Sequence, residues 1–388
     1  MGMYFLLQMI AATITPYLQI IFRNKGYSYV LTGVLISLTS LVRIFFPLIT
    51  SGINENQNKP KKLLGVIYLL TGILVFIGIK FNSLLLTSVF MVVGIGFYST
   101  INPQSDSISA AYTRTNKSQY SKIRATGTLG YVVALVVFGV TGIVDEGSNT
   151  SIANMILFIC LINFIYLKFF IGTEKGQLSV PQSNTFIKKI KQTFNFKRFS
   201  KPFLRMLLII TIFRISNSAI NNLLYSYLIE DLKVDSYFTY LIAIGSFSEL
   251  LMMLFLGKLI LNKKMEPWVM ILISCFGLTL RLLIYAFCSS VAAIIFAQVL
   301  HAISFGCNHI GMIAFISSTE KKENTSMAVG LYYSLGFGFS EMVGSVFGGI
   351  IIENLGYSSL FFIYSMIAVI ASLICLNSRK LFNNAVVI

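Results

Sequence analysis

The amino-acid sequence predicts an all-α polytopic membrane protein, with twelve transmembrane helices in two six-helix bundles, and three observations carry that prediction. The first is composition. Of 388 residues, 56% are hydrophobic and 11% charged, and the mean hydropathy is +0.79, which leaves too few polar side chains to cover a water-soluble domain. The second is spacing. A helix needs about 20 predominantly apolar residues to cross the hydrocarbon core. Twelve stretches meet that need, at 3–22, 29–51, 62–80, 83–103, 123–144, 151–171, 203–229, 237–257, 268–287, 290–317, 325–352 and 358–377. The third is the longest break between them, where Lys175, Lys188, Lys189, Lys191, Lys197, Arg198 and Lys201 crowd together. It divides the chain into a six-helix bundle over 1–172, a basic linker over 173–202 and a second bundle over 203–388.

Taken in order, the first span begins almost at Met1, with no basic segment before it and no small-residue cleavage site after it. It reads as a membrane helix rather than a signal peptide. Its looser polar stripe is Tyr4, Gln8, Thr15 and Gln19. The second span carries Arg43 just before Pro47, where a headgroup contact and a gate are equally open. The fourth places Asn102, Asp106 and Ser109 on one face at i, i+4 and i+7. The fifth carries Arg124 together with Gly127, Gly130, Gly139 and Gly142, and its counterpart in the second half, the eleventh, carries Gly330, Gly336, Gly338, Gly344, Gly348 and Gly349. Small residues let helix backbones approach closely, and their occurrence at matching places in two halves suggests an internal repeat, a common plan around a central site.

The seventh span aligns Arg214, Asn217, Asn221 and Tyr225 on one face. The eighth brings Glu249 and the ninth Arg281. On the tenth, Gln298, His301 and Asn308 share a face with His309 turned aside, and the eleventh adds Glu341, which has no obvious partner in the sequence. An ionisable residue at bilayer depth costs several kcal/mol unless it is paired or faces water, so each is a candidate functional residue. Polar stripes on apolar helices imply faces that meet in a cavity rather than lipid. Interhelical ion pairs, Asp106 with Arg124 and Glu249 with Arg281, are also expected to have a structural share. His309 reads as a packing or hydrogen-bonded residue rather than a ligand, and most of the 33 phenylalanines as lipid-facing or packing residues.

Charge placement sets the orientation. The loops with Lys59, Lys61 and Lys62, with Arg114, Lys117 and Lys122, with Lys258, Lys263 and Lys264, and with Lys321 and Lys322, the central linker and the Arg379–Lys380 tail all fall on one side. The other side holds only Arg23, Lys25, Lys80 and Lys233, with Asp145, Glu146, Glu230, Asp231 and Asp235. The positive-inside rule then expects a multi-pass plasma-membrane protein with both termini cytoplasmic. The net charge of +16 sits in these short loops rather than on one exposed face, which argues against a nucleic-acid partner. Five scattered cysteines without CxxC spacing imply neither a metal site nor a disulfide framework. No catalytic motif and no phosphate-binding GxxxxGK[ST] occurs, so no cofactor is expected, and uphill work would need an ion gradient or another chain.

Gly33, Arg43, Pro47 and Gly52 of the second span and its loop, Tyr120–Ser121–Lys122–Ile123–Arg124 leading into Gly127, and Leu300–His301–Ala302–Ile303–Ser304–Phe305–Gly306 resemble the major facilitator superfamily, within it the lactose-permease-like and phenylpropionate-permease-like branch. That branch pairs an acid on the fourth helix with an arginine on the fifth, as Asp106 and Arg124 do here, and carries Glu, Arg and His on helices eight to ten, as Glu249, Arg281 and His301 do. Tyr131 stands two turns after Arg124, where the branch has a sugar-stacking tryptophan. The resemblance implies the major facilitator fold and a proton-coupled importer, working as a monomer, that takes a small polar solute (saccharide, nucleoside or aromatic carboxylate) between the bundles. Asp106, Arg124, Tyr131 and Glu249 would contact substrate, with Asn102, Arg214 and Asn221 lining the path. Glu249, Arg281, His301 and Glu341 would serve proton coupling.

Two departures stand out: Ser304 occupies the place of the branch's proton-carrying Glu, and the acidic loop motif after Gly52 is reduced to Asn54 and Glu55. Glu249 and Glu341 are the substitute carriers, because a carboxylate in a dry cavity has a raised pKa. The competing readings are an exporter or lipid-linked sugar flippase, which a slightly cationic interior would suit, and a scaffold or membrane enzyme without transport.

Overall fold

The computed structural model describes residues 2–57, 60–112, 117–170, 196–234, 238–261 and 265–383; the side chains of 48–57, 60, 106–112, 117–125, 253–261, 322, 323 and 326 lie outside that description. The described residues are helical almost throughout. The first seven helices are α1 (Gly2–Ile14), α2 (Leu18–Asn24), α3 (Tyr29–Gln57), α4 (Pro60–Lys80), α5 (Leu84–Tyr112), α6 (Lys117–Thr141) and α7 (Asn149–Phe170). After them come α8 (Lys201–Ser226), α9 (Phe238–Leu261), α10 (Pro267–Phe287), α11 (Val291–Val299), α12 (Asn308–Thr319), α13 (Lys322–Leu331), α14 (Ser340–Asn377) and α15 (Arg379–Asn383).

Among the described residues nine helical stretches are long and apolar enough to cross a membrane, and two shorter apolar ones lie at Thr126–Thr141 and Phe238–Met252. The longest stretch, Met327–Asn377, is two helices joined at Gly356, whose φ of 79° interrupts α14. Only glycine adopts such a backbone without strain. Counting that break, the twelve expected crossings are present, and the large side chains left exposed on them, such as Leu85, Phe158 and Phe169, suit lipid rather than water.

The chain forms two compact units, Met1–Tyr27 with Leu38–Lys188, and Ser28–Ser37 with Lys189–Ile388. In the first unit α4 lies against α5 and α7, and α1 against α6 and α7. In the second, α14 lies against α8 and α10. The start of α3 belongs to this second unit: the Tyr29 hydroxyl meets the Glu230 carboxylate, the Val30 N–H donates to Glu353 at 3.0 Å, and the Tyr29 ring packs edge-on to Tyr357. The basic linker 173–202 is outside the described residues up to 195. Beyond it, Ser200 caps α8 by accepting from the Phe203 N–H.

The glycines on the fifth and eleventh spans do equivalent work. A Cβ on Gly130 of α6 would strike the Phe5 backbone of α1, and one on Gly344 of α14 would strike Ser218 of α8. In each unit the glycine-bearing helix therefore meets the unit's first long helix at backbone distance, which only a hydrogen side chain permits.

Candidate functional site

The second unit holds a buried polar cluster built around two arginines. Arg281 on α10 and Arg214 on α8 are 2% and 1% exposed, so neither charge is solvated by water.

Arg281 is fully partnered. Its Nε donates to the Ala297 carbonyl at 2.8 Å, Nη2 to Gln298 Oε1 at 3.0 Å, and Nη1 faces His301 Nδ1 at 2.9 Å. The other ring nitrogen, His301 Nε2, lies 3.1 Å from Glu249 Oε2. A guanidinium can only donate, so His301 Nδ1 accepts, and the ring proton sits on Nε2, where it reaches the carboxylate. The expected Glu249–Arg281 pair is thus a chain with a neutral histidine in its middle. On its other side Gln298 approaches Gly245 closely: a Cβ there would lie 2.7 Å from Gln298 Oε1.

Arg214 is held differently. Nη2 donates to Asn308 Oδ1 at 3.1 Å and to the Tyr332 hydroxyl at 3.3 Å, while Nε and Nη1 are buried without a hydrogen-bond partner. Aromatic faces supply the remaining contacts: the guanidinium carbon is 3.8 Å from the Phe337 ring centre, 5.0 Å from Phe305 and 5.8 Å from Phe213. These rings give the cation electrostatic support beside its two neutral acceptors. Phe305 and Phe337, expected to be packing residues, therefore belong to the site, and nothing in the sequence sets them apart from the other phenylalanines.

His309 is packed and hydrogen-bonded, as expected, but it is not turned aside from the His301 face. A π-helical turn over Ala302–Cys307 separates α11 from α12, and its wider winding delays the helical phase. As a result His309 stacks in line with His301 through Phe305, with ring centres 5.4 and 5.9 Å apart. Its Nδ1 reaches the Tyr332 hydroxyl at 3.2 Å. Another π segment, Tyr332–Phe339, delivers Tyr332 and Phe337. Asn308 joins Arg214 rather than the Arg281 group, with its Nδ2 on Ser274 at 3.4 Å. Glu341, 8% exposed, accepts from Asn221 Nδ2 at 3.4 Å. The seventh-span stripe thus supplies the partner its sequence position did not reveal.

In the first unit the polar stripes of the first and fourth spans meet where Gln8 Nε2 donates to Asn102 Oδ1 at 3.4 Å. Tyr131 is half-buried on α6. The side chains of Asp106 and Arg124 lie outside the described residues. No group of three or more His, Cys, Asp or Glu able to hold a metal occurs among the described residues.

Apolar crossings in two units with a buried, hydrogen-bonded charge cluster define a multi-pass membrane transporter. The MFS_1 like family model matches residues 1–364, and the chain belongs to that family. It is 26% identical over 341 residues to the uncharacterized transporter YwbF of Bacillus subtilis (strain 168), covering 87% of this chain and 81% of that one. In fold it is similar to a point mutant of the nucleoside transporter NupG (TM-score 0.83, 14% identity, 97% of each chain covered) and to the inward-open xylose transporter XylE from E. coli (TM-score 0.69, 12% identity, 96% and 95% covered).

Proposed function

We propose that this transporter is a proton-coupled symporter that imports a small polar solute across the plasma membrane, with both termini cytoplasmic and six-helix halves at 1–172 and 203–388. The observation that carries the proton part is the Arg281–His301–Glu249 chain. Arg281 occupies His301 Nδ1, so a second proton on that ring would need the guanidinium displaced. Glu249, with its side chain 19% exposed, is left as the carrier: it can take a proton while His301 Nε2 keeps its hydrogen bond. Charge then appears and disappears at one carboxylate beside a fixed cation, which is what coupling to a proton gradient requires. This reading also supplies a carrier where Ser304 replaces the branch's glutamate. Asp106, Arg124, Tyr131, Asn102, Asn221 and Arg214 are proposed to meet the solute, and Glu341 to serve as a secondary carboxylate in coupling. NupG and XylE take a nucleoside and xylose by their names, which supports a hydroxyl-bearing solute for this chain.

The test is solute-driven proton flux in proteoliposomes, screened over nucleosides, pentoses and aromatic carboxylates. Glu249→Gln, which mimics the protonated acid, is expected to abolish proton-coupled uptake while leaving solute exchange across the membrane. Proton flux that persists in Glu249→Gln would remove Glu249 as carrier. Uptake indifferent to the pH gradient in the wild-type protein would remove proton coupling altogether.

A further inference from the structure

The first unit contains a cavity of about 440 Å³ that none of the transport residues touches. It lies where α2 ends, α4 ends and α7 begins, and its lining is Asn24, Lys25, Tyr27, Ile79, Lys80, Asn82, Asn149 and Thr150. Two of these are cations and none is an acid. Lys25 Nζ donates to the Phe81 carbonyl at 2.5 Å and Lys80 Nζ to Thr150 Oγ1 at 3.0 Å. An ammonium has three N–H groups, so these contacts position both lysines and leave N–H groups for a further partner. Asn149 and Thr150 open the 22-residue helix α7, whose first-turn N–H groups and dipole favour negative charge. Asp145 and Glu146 precede this helix, but neither lines the cavity; the Glu146 carbonyl is taken by Asn24 Nδ2.

We propose that this cavity is an anion site that binds a phosphate group through Lys25 and Lys80. The geometry suits that chemistry better than a neutral solute: two ammonium groups and a helix N-terminus offer protons, and the amide of Asn82 can add more. Partial burial holds the Lys25 ammonium below the usual lysine range, a cost that a bound anion would offset. The same end of the unit exposes Leu84, Leu85, Val140 and Ile143, so the phosphate can come from a phospholipid headgroup as well as from a free solute.

The experiment uses the purified full chain in two arms. In detergent, inorganic phosphate is titrated against thermal unfolding. In nanodiscs and by native mass spectrometry, retention of phosphatidylglycerol is compared with phosphatidylcholine. Binding in the first arm identifies a free phosphate, and preference for phosphatidylglycerol in the second identifies a headgroup. Either is expected to weaken at least about tenfold in Lys25→Gln/Lys80→Gln, the loss of two charge-assisted hydrogen bonds. Glutamine keeps a donor for the Phe81 carbonyl. The site is refuted if neither arm shows binding, or if folded variants retain the anion as the wild type does.

Discussion

Arg281 and Arg214 sit in one unit, are equally buried, and are stabilised in opposite ways. Every nitrogen of Arg281 has a hydrogen-bond acceptor, and a carboxylate stands one histidine away. Arg214 has two neutral acceptors on one nitrogen, three ring faces, and two nitrogens without hydrogen-bond partners. The first arrangement fixes a charge where it can polarise a proton carrier. The second leaves a cation undersatisfied, which native proteins keep only where something else gains from it.

That contrast can be broken experimentally, and the largest effect is expected at Arg281. Arg281→Met leaves Gln298, the Ala297 carbonyl and the His301–Glu249 pair without their donor, a loss of about 3–5 kcal/mol for one member of a buried charged network. Thermal unfolding should show it as a sharply lowered transition, and uptake should fall to background. Arg214→Met removes a buried charge whose contacts among the described residues are neutral. The expected result is unchanged or raised stability, by up to about 4 kcal/mol, with solute uptake lost. A stability loss as large as that of Arg281→Met would show that Arg214 is a structural cation. A smaller effect separates the ring contacts: Phe337→Leu keeps apolar bulk but removes the nearest π face, and should cost about 1–2 kcal/mol. In an Arg214→Met background the same change should cost less, and that difference in a double-mutant cycle measures the ring–cation contact. The smallest effect is expected at His309, where His309→Gln keeps a group able to pair with Tyr332 and should alter stability by under about 1 kcal/mol. A large loss of uptake there would make His309 part of the transport path.

Much of the site was legible in the sequence, residue by residue. Glu249, Arg281, His301 and Gln298 were visible because charges and amides are costly inside apolar spans, and they do come together. The seventh-span stripe also proved informative, since Arg214 and Asn221 reach Asn308 and Glu341. What could not be read was which acceptor each donor takes. His301 intervenes between Glu249 and Arg281, and Asn308 leaves its apparent stripe for Arg214, because π turns shift helical phase and a uniform period of 3.6 residues cannot anticipate them. Phe305 and Phe337 were invisible for another reason: an aromatic side chain is chemically at home anywhere in a membrane span, and only position makes it a cation's neighbour.

By itself the sequence determined the membrane class, the twelve crossings, the glycine-bearing helices and the polar residues that must be sheltered, because each follows from local transfer energy summed along one helix. The tertiary structure alone decided that the start of α3 belongs to the second unit, that Gly130 and Gly344 are points of backbone contact, and that one buried arginine is satisfied while the other is not. Those outcomes depend on which helices meet and at what phase, and hydrogen bonds with a reach of about 3 Å depend on that meeting far more than on composition.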